Sequence, residues 1–112
     1  MSEPERTIQS GYEQVYRYIK SETVAMPNQR AVREKTLKTS LCANGSLEVE
    51  QVNTALKALA EQEKIQYGNG WITPVVDLQW HRDAVAWLAQ KDEPPKELVG
   101  KMNKAIQTYD WP

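Results

Sequence analysis

The sequence predicts a mainly α-helical domain that carries one small β-hairpin. Apolar residues between Val49 and Leu59 recur at steps of three and four, which is the spacing of one helix face. The triplets 65–67 and 71–73 favour β-structure and flank an Asn-Gly pair, the residues that a tight hairpin turn requires. Together these patterns indicate helices packed beside a short two-stranded ribbon.

The residues before the central helix predict two further helices and a short strand. After a loose, polar N-terminus, the apolar spacing predicts a first helix from Ile8 to about Ser21. Residues 22–26 then form a short extended strand. Asn28 is a good N-cap, so a second helix is expected over residues 29–39.

That second helix is expected to turn Ala31, Val32 and Thr36 inward. The sequence Asn44-Gly45-Ser46 then predicts a break. Ser46 or Glu48 caps the third helix, which buries a stripe and ends at Glu63 or Lys64. The stripe consists of Val49, Val52, Leu56, Leu59 and Ala60, with Ala55 at its edge.

The last part of the chain predicts two more helices. Asp77 caps the fourth, and Pro94 and Pro95 open the fifth. The chain therefore divides into residues 1–76, with three helices and the hairpin, and residues 77–112, a C-terminal helical extension.

The extension carries more apolar surface than an isolated helix pair can leave in water. It is expected to pack on the first helix or against a second copy of the chain. We favour a homodimer. The alternative is a monomer whose C-terminal extension completes its own core. The expected interface consists of Trp80, Trp87, Leu98, Met102, Ile106 and Tyr109.

Composition and charge restrict the class of protein. The 112 residues carry a net charge of −1, without the basic excess of most nucleic-acid binders. Residues 1–45 hold seven basic and five acidic side chains, so the mild positive excess lies in the first half. There is no apolar run long enough for a leader or a membrane span, so a cytoplasmic protein without membrane contact is expected.

Catalytic chemistry has no evident candidate in this sequence. His81, the only histidine, lies on an apolar helix face and is expected to be a buried structural residue. Cys42, the only cysteine, forms no internal disulfide or zinc cage and is expected in the core. No phosphate-binding glycine loop or metal-ligand spacing is present. We therefore predict no enzyme, no catalytic residue, no metal and no cofactor.

The order helix, strand, helix, helix, hairpin resembles the winged helix-turn-helix superfamily over residues 7–76. The residues that carry this resemblance are the Leu56/Leu59 pair, followed by Ile65 and the hairpin to Ile72. The fold it implies is a winged-helix domain of three helices plus a short wing, followed by two C-terminal helices. Two features depart from the pattern: Glu63 stands where a glycine is common, and the wing is very short.

The resemblance implies a transcriptional regulator that binds double-stranded DNA with its third helix in the major groove. In such a complex, cationic side chains hold phosphates and planar polar groups face base edges. Arg30, Arg33 and Lys38 would hold the backbone. Gln51, Asn53, Thr54 and Lys57 would approach the bases. Glu50 and Glu61 on the same helix oppose a polyanion.

The alternative is an adaptor that binds a protein partner without touching DNA. Some winged-helix domains in larger assemblies resemble this chain in being small, near neutral and without a basic third helix. The partner would then dock on the third helix or on the C-terminal extension. The simplest interpretation of the basic residues on the second helix is that they form a solvent-exposed face without a binding role.

Overall fold

The computed structural model describes residues 3–26, 28–43 and 47–111, with side chains from residue 11 onward. Five helices and three strands lie within these residues. In chain order they are α1 (Glu3–Thr23), β1 (Val32–Arg33), α2 (Glu34–Ala43), α3 (Val49–Glu61), β2 (Ile65–Gly68), β3 (Trp71–Pro74), α4 (Leu78–Ala89) and α5 (Lys96–Thr108). The predicted break at 44–46, the cap at Ser46 and the side chain of Ile8 lie outside the described residues.

The hairpin of β2 and β3 confirms the strongest local prediction. Asn69 and Gly70 both have positive φ, at 52° and 78°, as a two-residue type I′ turn requires. Tyr67 pairs with Ile72 across the hairpin. β1 then adds to the other side of β3, so the sheet is antiparallel with the order β1-β3-β2.

This sheet is the middle layer of the molecule, because neighbouring strand residues face opposite sides. Val32, Ile65 and Ile72 enter a first core with α1, α2 and α3. Ala31 and Trp71 enter a second core with α4 and α5. The C-terminal extension therefore covers the sheet face that the first three helices leave open. The second core also draws on residues from both sides of position 76.

α3 is buried along the predicted stripe except at its first residue. Val52, Leu56 and Leu59 are buried in the first core, and Ala60 is partly buried. Val49 is 50% exposed, so its place in the stripe was wrong. It begins the helix at the rim, where only one turn of chain can pack against the core.

The predictions for the first strand and the second helix were wrong in position. Residues 22–26 do not form a strand, because α1 continues to Thr23, whose buried hydroxyl donates to the carbonyl of Ile19 at 2.7 Å. Extended backbone occurs instead at Val32–Arg33, where it pairs with β3. α2 consequently begins at Glu34, and Asn28 lies in a turn before it.

Other details of the first two helices also differ from expectation. The segment predicted to be loose is helical from Glu3 onward, where α1 begins. Ala31 and Val32 do face inward, but from extended backbone and towards the two different cores. Thr36 is exposed. Cys42 is half-buried against the first core rather than within it.

The extension begins as its capping residues predict. The carboxylate of Asp77 accepts from the backbone N–H of Trp80 at 2.7 Å and caps α4. Pro95 occupies the N-cap position of α5. α5 lies so close to β2 that a Cβ added at Gly68 would stand 3.2 Å from the backbone nitrogen of Leu98. None of the described helices combines the length and apolar character that crossing a membrane requires.

Candidate nucleic-acid interface

The outer face of α3 is the surface that the sequence predicts to read DNA. Asn53, Thr54 and Lys57 are all exposed there, opposite the buried stripe. Gln51 is half-buried, and its side-chain oxygen accepts from the backbone N–H of Glu48 at 2.8 Å. Gln51 therefore stabilises the helix start, and only three of the four predicted base-reading residues remain available on this face.

The charge of this face is mixed. Lys57 is its only exposed cation within α3, whereas Glu50 and Glu61 are both exposed. Glu48 adds a third carboxylate at the helix start. At close range these carboxylates repel a phosphate backbone, so α3 alone supplies little electrostatic attraction for DNA.

The hairpin is held against α5 rather than projecting freely. The side-chain oxygen of Asn69 accepts from the backbone N–H of Glu97 at 2.7 Å and caps the first turn of α5. The ammonium of Lys101 donates to the carbonyl of Tyr67 at 2.9 Å. At the other side of the turn, the Gly70 carbonyl accepts from the N–H of Glu34 at 2.8 Å.

This arrangement leaves a groove of about 630 Å³ between α3, β2 and α5. Lys57 and Glu61 line one wall, and Glu97 and Lys101 line the other. Each wall thus carries one positive and one negative side chain. α5 occupies the space beside β2 that a partner of a free hairpin would need.

The predicted backbone-holding residues do not share one helix. Arg33 lies on β1, with its guanidinium 4.1 Å from the centre of the Trp71 ring. Arg30 precedes β1 and lies 5.9 Å from the Trp80 ring. Lys38 is on α2, where its ammonium forms an ion pair with the carboxylate of Glu34 at 3.4 Å.

A further cation, close to Arg33, was not predicted from the sequence. Lys91, in the turn after α4, lies 3.6 Å from the centre of the Trp87 ring and 5.8 Å from that of Trp71. The two indoles meet edge to face at 5.7 Å. Arg33 and Lys91 line the same cavity of about 420 Å³. No local pattern around Lys91 predicts this, because the contact with Trp71 joins the turn after α4 to β3.

The residues predicted to form a dimer interface are placed unequally. Leu98 and Met102 are fully buried inside the single chain, so they offer no surface to a second copy. The remaining four are half-buried: Trp80, Trp87, Ile106 and Tyr109.

The single histidine is buried, as its position on α4 predicts. The ring of His81 lies 4.8 Å from that of Trp111, and burial lowers its pKa from 6.5 to about 4. Within residues 3–26, 28–43 and 47–111, no group of three His, Cys, Asp or Glu side chains comes together that could hold a metal ion.

No known protein family, curated protein or solved structure matches the chain. The function is therefore inferred from the geometry of these surfaces.

Proposed function

We propose that the chain is a DNA-binding protein of the winged-helix class and acts as a transcriptional regulator. The observation that carries this proposal is the two-sided character of α3, which packs one side into the first core and leaves the other bare. The order of the first six elements supports it, because helix, strand, helix, helix and hairpin is the order on which the winged-helix resemblance rests.

In this proposal the polar residues of α3 approach the base edges. An Asn side chain can form two hydrogen bonds to adenine, and a Thr methyl can contact the methyl of thymine. Asn53 and Thr54 have these roles, and Lys57 reaches a guanine or a phosphate. Arg33 and Arg30 hold the backbone. Gln51 and Lys38 contribute less, because each already has a partner within the chain.

A second copy of the chain is part of the same proposal. The half-buried Trp80, Ile106 and Tyr109 supply apolar surface that pairing would cover. A two-fold dimer would present two α3 helices to successive major grooves, about 34 Å apart. A regulator of this kind selects a palindromic site and binds it as two chains per duplex.

The test is selection of binding sites from a random duplex library, followed by affinity measurements over a range of salt concentrations. We expect a preferred sequence and a linear fall of log affinity with log salt. Asn53→Ala should remove the preference at one base position, a change of about 1–3 kcal/mol. Asn103→Ala is the matched control, because Asn103 is also exposed on a helix but lies on α5. Absence of duplex binding at low salt would reject the proposal.

A protein-binding adaptor is the second candidate, and two observations favour it. Glu50 and Glu61 are exposed on the same helix as Lys57, and α5 occupies the space beside the hairpin. An adaptor would bind its partner with little salt dependence. Arg33→Glu would leave that binding intact, whereas Glu61→Lys would weaken it. On duplex DNA, by contrast, Arg33→Glu would weaken binding and Glu61→Lys would strengthen it.

A further inference from the structure

Two cations of this protein each lie against an indole ring and form no ion pair within the described residues. Arg33 and Lys91 each lie against an indole, at 4.1 Å from Trp71 and 3.6 Å from Trp87. Neither cation forms an ion pair with a side chain in the described part of the chain, in contrast to Lys38 with Glu34 and Lys101 with Glu97. Neither the guanidinium of Arg33 nor the ammonium of Lys91 donates a hydrogen bond within this part of the chain.

The indole rings orient these two cations and leave their N–H groups available to a ligand. An aromatic ring attracts a cation to its face but accepts no conventional hydrogen bond from it, so the N–H groups keep their donor capacity. Holding a long side chain against a ring also reduces the rotamer freedom that binding would otherwise remove. Arg33 and Lys91 are thus positioned as donors before any ligand arrives.

The spacing of the two charges suits a chain of phosphates. Both lie near the Trp71 ring, with the Arg33 guanidinium 4.1 Å and the Lys91 ammonium 5.8 Å from its centre, which puts them within about 10 Å of each other. Both line one cavity of about 420 Å³. A nucleic-acid strand carries one negative charge per nucleotide, so neighbouring phosphates of one strand can meet both cations.

The surroundings of the cavity carry a net positive charge. Glu22 lines it as well, and its single carboxylate offsets one of the two cations. A second concavity that Arg33 also lines includes Lys35, which is exposed. Glu34 lines that concavity too, but it is paired with Lys38.

We propose that Arg33 and Lys91 form a clamp for the phosphodiester backbone of a nucleic acid, with Trp71 and Trp87 as its supports. This inference rests on the proposed function and deepens it, because it adds Lys91, after α4, to Arg33 as a second phosphate contact and places both contacts at one cavity. The C-terminal extension thereby takes part in binding through Lys91, beyond covering the sheet.

The test compares Lys91→Gln and Arg33→Gln with Arg82→Gln, which removes one exposed positive charge from α4 outside the cavity. The probes are a mixed-sequence DNA duplex and a single-stranded oligonucleotide, followed by fluorescence anisotropy. Loss of one phosphate contact should lower duplex affinity by about eightfold at roughly 0.1 M salt and reduce the salt slope by about 0.9. Lys91→Arg should restore most of the affinity, and Arg82→Gln should leave both quantities close to the wild-type values.

Thermal unfolding of each variant separates loss of the clamp from loss of the fold. A variant that melts with the wild type and still loses affinity supports the clamp. If the wild type binds duplex and Lys91→Gln behaves like Arg82→Gln, the clamp is overturned and the DNA-binding proposal stands. If only the single strand binds, with Lys91 required, the clamp stands and the duplex regulator is rejected. Binding to neither probe overturns both.

Discussion

His81 shows how burial sets the charge of a single side chain. It lies on the inward face of α4, fully buried and against the indole of Trp111. Neither ring nitrogen has a hydrogen-bond partner among the described residues. Protonation would place an unpaired charge in this packing, so burial lowers the pKa of His81 from 6.5 to about 4. His81 is therefore neutral at neutral pH and packs as part of the interior.

This lowered pKa predicts that acid destabilises the protein through His81. The unfolded chain binds the proton at a pKa near 6.5, whereas the folded chain binds it only near 4. The contribution of His81 to stability is thus complete above pH 6.5, is lost as the pH falls to about 4, and changes no further below that value. The full loss corresponds to about 3 kcal/mol, from 1.36 kcal/mol per pKa unit.

Urea unfolding at about pH 7 and about pH 4.5 measures this loss. Carboxylates titrate in the same range, so the variant His81→Leu serves as the reference. We expect the wild type to lose more stability than His81→Leu between the two conditions. Equal losses in the two proteins would mean that His81 takes up its proton without a penalty in the folded chain.

At the scale of one element, the end of α3 is held in a conformation that its sequence does not favour. The N–H of Lys64 bonds to the carbonyl of Leu59 at 2.9 Å, and that of Glu63 to the carbonyl of Ala60 at 3.0 Å. This pair of bonds is a Schellman motif, which requires a left-handed residue after the helix. That residue is Glu63, with φ at 60°. A side chain there costs roughly 1–2 kcal/mol relative to ordinary helical backbone.

Glu63→Gly is therefore predicted to stabilise the protein by about 0.5–1 kcal/mol, because glycine adopts positive φ without a steric penalty. Urea denaturation should show a higher midpoint with an unchanged slope. Gln62→Gly is the control, since Gln62 has φ of −85° and ψ of 3°, which need no glycine. It should lower the midpoint. A lower midpoint for Glu63→Gly as well would show that the Glu63 side chain contributes contacts that exceed the strain.

The elements that sequence predicts well here are those with local causes. The Asn69-Gly70 turn and the Asp77 cap act over a few residues, and both occur as expected. β1 was misplaced because Val32–Arg33 becomes a strand only by pairing with β3, far along the chain. For the same reason Lys91 was not predicted, because one of its two ring partners lies in β3, distant in sequence.

At the scale of the whole molecule, the two cores share one sheet. Ile72 enters the first core and its neighbour Trp71 enters the second. Unfolding of the sheet would therefore expose apolar side chains of both cores. The four Trp residues all lie on the α4–α5 side: three pack in or against the second core, and Trp111 packs on His81. Tryptophan fluorescence thus reports mainly on this side, whereas far-ultraviolet circular dichroism reports on all five helices.

We predict that the two signals follow one unfolding transition, because the shared sheet couples the cores. Met102→Ala empties part of the second core and should cost about 2–5 kcal/mol. It should shift the fluorescence and dichroism midpoints of urea unfolding by the same amount, and Asn103→Ala, at the exposed neighbouring position, should shift neither. Fluorescence that changes at lower urea than dichroism would instead make α4 and α5 a separate cooperative unit. In that case α1, α2, α3 and the sheet would remain folded without the C-terminal extension, and the Lys91 clamp would be lost before the exposed face of α3.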